Sequence, residues 1–350
     1  MDEADVRELL AGVRDPDLDA DIVSLGLVNS IEVDGEVARV SLALGAPYSP
    51  GETAIADRVR EVLGDAGLEA DLSARVDDGS GDDVLPGVSN VIAVASGKGG
   101  VGKSTVAVNL AAGLADRGAR VGLFDADVYG PNVPRMVAAD QHPNATADET
   151  LIPPEQFGVK LMSMAFLVGE DDPVIWRGPM VHKVITQLTE DVEWGQLDYL
   201  ILDLPPGTGD TQLTVLQTIP LTGAVVVTTP QQVAVDDARK GLRMFGRHDA
   251  TVLGIVENMS TFVCPDCGGE HDIFGAGGGE AFADDVDMPF LGSIPLDPAV
   301  RAGGDAGEPA VLGDSEVGDA FRSVTDAVAD MVGVVRRRAH LRDATEPAEH

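Results

Sequence analysis

The chain has 350 residues, room for about two domains and a sizeable core, and its 59 acidic residues against 24 basic ones give a net charge of −35. Such a surface speaks against nucleic-acid partners and against docking on anionic lipid, both of which need clustered positive charge. No apolar run approaches the roughly 20 residues that span a bilayer, and the acidic start MDEADVRELL lacks a signal peptide's basic-then-apolar order, so a soluble, cytoplasmic protein is expected. The acid excess also suits adaptation to high salt, where screening removes self-repulsion.

Residues 1–76 read as a small α+β domain. Residues 2–13 form a plausible helix, and LVNSIEV and EVARVSLAL alternate as strands across Asp34-Gly35, a hairpin signal. The amphipathic GETAIADRVREVLGDAG and a third strand, EADLSARV, complete it. Residues 77–89 open with DDGSGDDVLPG and read as an acidic linker. From residue 90 to 335, near-continuous apolar strands alternate with helical segments, which indicates a mostly parallel sheet covered by helices on both faces. Ligands of such sheets bind at the carboxyl ends of the strands. Residues 336–350 are polar and expected as a tail, while MVGVVRRRAHLRD reads as a last helix with Arg at its negative dipole end.

The first strand of the larger domain, NVIAVAS, runs into GKGGVGKS at residues 97–104, which satisfies the G-x-x-x-x-G-K-[ST] pattern of a P-loop. Gly97, Gly99, Gly100 and Gly102 let backbone N–H groups turn inward around Lys98 and Val101. Lys103 is placed for the β- and γ-phosphates of ATP and Ser104 for Mg²⁺. The helix through Thr105 points its positive end at the phosphates. Lys98 is a second lysine in the loop, in a chain that has only five.

Two further strands end in carboxylates. RVGLF precedes Asp125 and Asp127, and LDYLIL precedes Asp203. Asp203 suits indirect Mg²⁺ ligation and Asp127 suits positioning the attacking water. PPGTGD, after Asp203, is rich in turn residues and suited to respond to the γ-phosphate. The two cysteines, Cys264 and Cys267, stand as C-x-x-C, which fits half a zinc site, a redox dithiol or an iron–sulfur ligand pair. One chain offers too few ligands for zinc, with His271 alone nearby. A two-fold dimer offers four thiolates, which suit one [4Fe–4S] cluster or one zinc.

GKGGVGKST, DADVYGPN, VIWRGPM, LDYLILDLPPGTGD, ENMSTFVCPDCGGEHDIFGAGGGEAFA and LGSIPLDPAVR together resemble the Mrp/ApbC family of iron–sulfur cluster carrier ATPases, within the MinD/ParA class, over residues 85–335. The resemblance implies an ATP hydrolase that works as a homodimer, takes a [4Fe–4S] cluster on Cys264 and Cys267 from a donor, and passes it to apo-proteins. It implies that Lys98 reaches the phosphates held by the other subunit, and that Asn258, Pro295 and Asp297 lie around the adenine, although these can equally be turn residues. His271 is read as structural. VIWRGPM reads as a dimer-facing helix start or as core packing of Trp176. Through RDPDLDADIVSLGLVNSIEV the N-terminal domain resembles one recurrent in iron–sulfur assembly proteins. Relatives often carry a cysteine near the position of Ala46, so docking rather than cluster binding is expected of it. The competing reading is a MinD/ParA-type positioning ATPase on a membrane or DNA, with a zinc or redox Cys pair. An electron-transfer ATPase is disfavoured because such relatives place their cysteines far apart.

Overall fold

The computed structural model describes residues 1–75, 84–128, 130–167, 178–264 and 267–345, and divides them into two compact units. The first contains the N-terminal region to residue 81 together with residues from 329 onward, and the second contains residues 82–328.

In the first unit, helix α1 (Glu3–Leu10) starts at a capping box, with the Asp2 carboxylate accepting from Ala4 and Asp5 N–H while Asp5 accepts from Asp2 N–H. Strands β1 (Val28–Asp34) and β2 (Val37–Leu42) form the expected antiparallel hairpin. Helix α2 (Pro50–Asp65) begins behind the cap Ser49, and β3 (Glu69–Ala74) pairs parallel with β2. Val6, Leu10, Ile31, Val40, Ile55 and Val59 meet in one apolar core.

In the second unit, β4 (Val91–Ser96) leads into α3 (Lys103–Asp116), and β5 (Val121–Asp125) is followed by the single turn α4 (Val133–Met136). Short strands β6 (Asn144–Ala145), β7 (Leu151–Ile152) and β8 (Glu155–Gln156) precede β9 (Val159–Ser163). Then come α5 (Gly178–Glu190), β10 (Tyr199–Asp203), α6 (Asp210–Thr218), β11 (Gly223–Thr228) and α7 (Gln232–Arg247). The long β12 (Val252–Val263), β13 (Glu270–His271), α8 (Gly278–Asp285), β14 (Phe290–Leu296), α9 (Pro298–Ala306) and α10 (Glu316–Thr345) complete the order.

The main sheet runs β13-β12-β11-β4-β10-β5-β9-β8, with β14 also paired to β12. All its pairs are parallel except β12 with β13 and β8 with β9. Every residue of β4, β5, β10 and β11 is buried, as expected of strands covered on both faces. The chain leaves β4, crosses to β5 and returns to β10 between them, so the carboxyl ends of β4, β5 and β10 open side by side at a point where the strand order reverses.

Residues 336–345 continue α10, against the tail reading and in line with the last-helix reading of MVGVVRRRAHLRD, and the residues of α10 from Ala329 belong to the first unit. The reason is Arg337, which is fully buried. Its guanidinium lies 2.7 Å from Asp15, 2.6 Å from Asp17 and 3.2 Å from Glu52. Ala46 is also fully buried, its N–H donating to Glu52 at 2.8 Å. Residues 76–83, which include the first part of the expected linker, Trp176 and residues 346–350 lie outside the described residues.

Candidate functional site

The loop between β4 and α3 keeps its shape through glycine. At Gly102, φ is +83°, a left-handed conformation, and a Cβ there would stand 2.1 Å from the Asn258 amide nitrogen. At Gly97 a Cβ would sit 2.1 Å from the backbone of Asp237 on α7. Both positions therefore exclude a side chain, for different reasons. Gly99 and Gly100 are exposed, Val101 is buried, and Lys98 is half-buried, its carbonyl accepting from the Ser96 hydroxyl at 3.0 Å.

Lys103 lies at the first position of α3 and is 6% exposed. Its ammonium donates to Asp203 Oδ1 at 2.5 Å and to the Ser104 hydroxyl at 3.3 Å. Asp203 is fully buried, its Oδ2 has no hydrogen-bond partner among the described residues, and burial raises its pKa against the opposing pull of Lys103. Asp125, its register neighbour on β5, is pushed up to about 7 by burial first and by Asp203 second. Asp125 accepts from the Ser163 hydroxyl at 2.9 Å and from Val133 and Asp127 N–H at 3.2 Å. Asp127 is nearly buried and accepts from Gly130 N–H at 3.2 Å. The loop after Asp203 touches the P-loop strand, Gly207 N–H donating to Ser96 O at 2.9 Å. Three strand ends thus bring Lys103, Ser104, Asp125, Asp127 and Asp203 together, with one ammonium on Asp203 and one buried carboxylate oxygen left open among the described residues. Such a set can take the phosphates of a nucleotide and a divalent cation.

A cavity of about 470 Å³ opens beside it, within the usual range for small-molecule sites. Ser104 and Thr105 line one end, and Asn258, Pro295 and Asp297 another wall. The Asn258 amide donates to Val101 O at 2.8 Å, tying β12 to the P-loop. Asp297 caps α9 through Ala299 N–H.

The two cysteines follow the far end of the same strand. Cys264 N–H donates to Gly269 O at 2.9 Å and Cys264 O accepts from Gly268 N–H at 2.8 Å, which closes a tight turn around the pair. Cys267 is exposed, Cys264 is partly so, and neither is in a disulfide. A Cβ on Gly269 would lie 3.3 Å from Cys267 Sγ and 3.4 Å from His271 Nε2. His271 pairs in register with Phe262, its ring 6.5 Å from the phenyl ring. Among the described residues no group of three or more His, Cys, Asp or Glu is arranged to hold a metal.

Sequence reasoning missed three supports. Ser163 holds Asp125 from β9. Glu257 is buried and caps α8 through the N–H groups of Gly277 and Gly279, at 3.2 and 2.6 Å. Helix α4 lines the cavity through Asn132, Arg135 and Met136. Polar residues at the ends of VKLMS and GIVEN were the available signal for the first two. Two prolines disguise the third.

The family model described as the ParA/NUBPL iron-transfer P-loop NTPase matches residues 87–329. The chain belongs to this family. As an iron-transfer P-loop NTPase its class is that of an ATP hydrolase. A second model, of iron–sulfur cluster assembly proteins, matches residues 3–76, where the small N-terminal domain was expected. Among relatives of this NTPase, the iron–sulfur cluster carrier protein of Deinococcus radiodurans is 47% identical over 341 residues, covering 95% of this chain and 96% of that one. That of Synechocystis is 44% identical, covering 95% and 98%. A nucleotide-binding protein from Archaeoglobus fulgidus, solved with ADP, is 38% identical with a TM-score of 0.58, covering 67% of this chain and 92% of its own. The cell-division ATPase MinD of Pyrococcus furiosus, at 24% identity, 69% and 98% coverage and a TM-score of 0.53, shares the fold. The expected MinD/ParA-like P-loop architecture is thereby shown. No helix among the described residues is long and apolar enough to cross a membrane.

Proposed function

We propose that this NTPase carries a [4Fe–4S] cluster between two copies of itself, bound by Cys264 and Cys267 of each, and delivers it in the cytoplasm from a donor to apo-proteins. The observation that carries the reading is strand β12, which holds Asn258 against the P-loop midway along its length and leads at its carboxyl end into the Cys264 turn. With two thiols per chain and, among the described residues, no third metal donor grouped with them, a four-thiolate site requires a second copy. Names of relatives support the cargo, since they are cluster carrier proteins.

In this reading Lys103 and the P-loop N–H groups bind the β- and γ-phosphates of ATP. Ser104 would hold Mg²⁺ directly and Asp203 indirectly, the cation offsetting phosphate charge, and Asp127 would orient the attacking water. Lys98 makes no ion pair or side-chain hydrogen bond among the described residues, which leaves its ammonium available to the partner copy's phosphates. Lys98→Ala should lower turnover roughly 10³-fold, the scale of a charge donated across an interface, with ADP affinity within a few-fold.

The deciding experiment is iron and acid-labile sulfide per dimer after anaerobic reconstitution of the wild type and of Cys264→Ala/Cys267→Ala. The cluster reading requires about four of each per dimer, absent from the double variant. Zinc without sulfide would assign the pair a structural metal and remove the carrier reading.

A further inference from the structure

The nucleotide cavity has a wall that the P-loop pattern does not describe. Helix α4 is a single turn, yet it is anchored on both sides. Its Val133 N–H donates to Asp125 at 3.2 Å, and Met136 Cε lies 3.9 Å from where a Cβ on Gly304 of α9 would stand. Between these anchors Arg135 lines the same cavity as Ser104 and Thr105, the first-turn residues of α3.

Acids outnumber bases by 59 to 24, and arginines such as Arg117, Arg120, Arg322 and Arg337 stand against carboxylates. The guanidinium of Arg135 makes no ion pair and no hydrogen bond among the described residues. An exposed arginine amid so much acid, held on a wall pinned at both ends, has its donors directed to something else. The first turn of a P-loop helix lies beside the α- and β-phosphates of a bound nucleotide. A planar fork of five donors matches a phosphate bidentately.

We propose that Arg135 is a nucleotide-binding residue that grips the α-phosphate from α4. It contributes a cation that neither Lys103 nor the loop N–H groups supply. The proposal rests on the ATP-hydrolase class and is independent of the cluster reading. It also predicts discrimination: the site recognises a nucleotide by its first phosphate, and a nucleoside lacking that phosphate forfeits the contact.

The test is competition of ADP, AMP and adenosine against a fluorescent ADP analogue on the full-length chain with Mg²⁺, for wild type, Arg135→Ala and Arg135→Lys. Arg135→Ala should weaken ADP about tenfold, the scale of one charge-assisted contact, and Arg135→Lys should recover part of that. The preference of the wild type for AMP over adenosine should shrink in Arg135→Ala. The dependence of ADP affinity on KCl should also become shallower. Arg135→Gln, which keeps the bulk, replaces Arg135→Ala if that variant does not fold. ADP affinity within twofold of wild type overturns the proposal. So does equal weakening of AMP and adenosine, which would mean that Arg135 only packs against the nucleoside.

Discussion

Two buried charge clusters, one in each unit, solve the same electrostatic problem in opposite ways. In the first unit Arg337 faces Asp15, Asp17 and Glu52, and Glu52 takes further N–H groups from Gly45 and Ala46. In the second, one lysine faces Asp203, with Asp125 and Asp127 close by, and Asp203 Oδ2 has no partner among the described residues. A guanidinium fork fixes several carboxylates in one geometry, whereas an ammonium on a flexible stem is a point charge that can change partners. The fork locks the first unit. The point charge leaves room for phosphate and metal. The comparison teaches that a buried set of carboxylates reads as architecture when a rigid fork faces it, and as a site when a flexible ammonium does.

The largest effect that could break this contrast is on catalysis. Lys103→Ala should abolish measurable ATP turnover and, by leaving Asp203 buried without its cation, lower nucleotide-free stability by about 3–5 kcal/mol. Adding Asp203→Asn should restore the stability and leave turnover absent. Equal stability of the single and double variants in denaturant melts would show that the pair is not the electrostatic unit described. Next, Arg337→Ala should cost the first unit a similar ~3–5 kcal/mol, here with ATP turnover retained. No single Asp-to-Asn change should rescue it, because three carboxylates lose one partner. Arg337→Lys should recover only part. Full rescue by lysine would erase the distinction between fork and point charge.

A smaller effect concerns pH. Asp125 binds its proton more tightly in the folded chain, with a pKa raised from 3.8 to about 7 by burial. The folded state therefore holds more protons than the unfolded one in between. The stability this contributes is present below the unfolded value and lost as pH rises toward 7. Nucleotide-free melting temperatures should fall across that window, and Asp125→Asn should flatten the slope. The smallest expected change is with salt. Melting temperature should rise modestly with KCl for the whole chain, since −35 charges repel. An unchanged melting temperature would refute high-salt adaptation.

The site was legible where chemistry is local in sequence. Gly102 and Lys103 announce a phosphate loop by spacing, and Asp125 and Asp203 stand at the ends of apolar strands that a parallel sheet brings side by side. What was hidden is what depends on distant partners. Arg337 looked like part of a polar tail because its three carboxylates lie more than 280 residues away. Arg135 sits in a turn too short to show periodicity, and only the fold places it opposite α9. Asn258, Pro295 and Asp297 were reachable through family resemblance and not through pattern, because each also serves an ordinary backbone role. Asn258 donates to a carbonyl, and Asp297 caps a helix.

Strand β12 carries one more consequence. Only five residues lie between Asn258 and Cys264, and among them Met259 adopts φ +55° where the pairing with β14 shifts register. Side chains of a strand alternate between faces, so adding or deleting one residue in this arm would turn every later side chain over. The spacing is therefore a ruler. Length changes can be absorbed beyond Cys267, in the turn toward β13, and within the arm itself they would carry the thiols to the wrong side of the sheet.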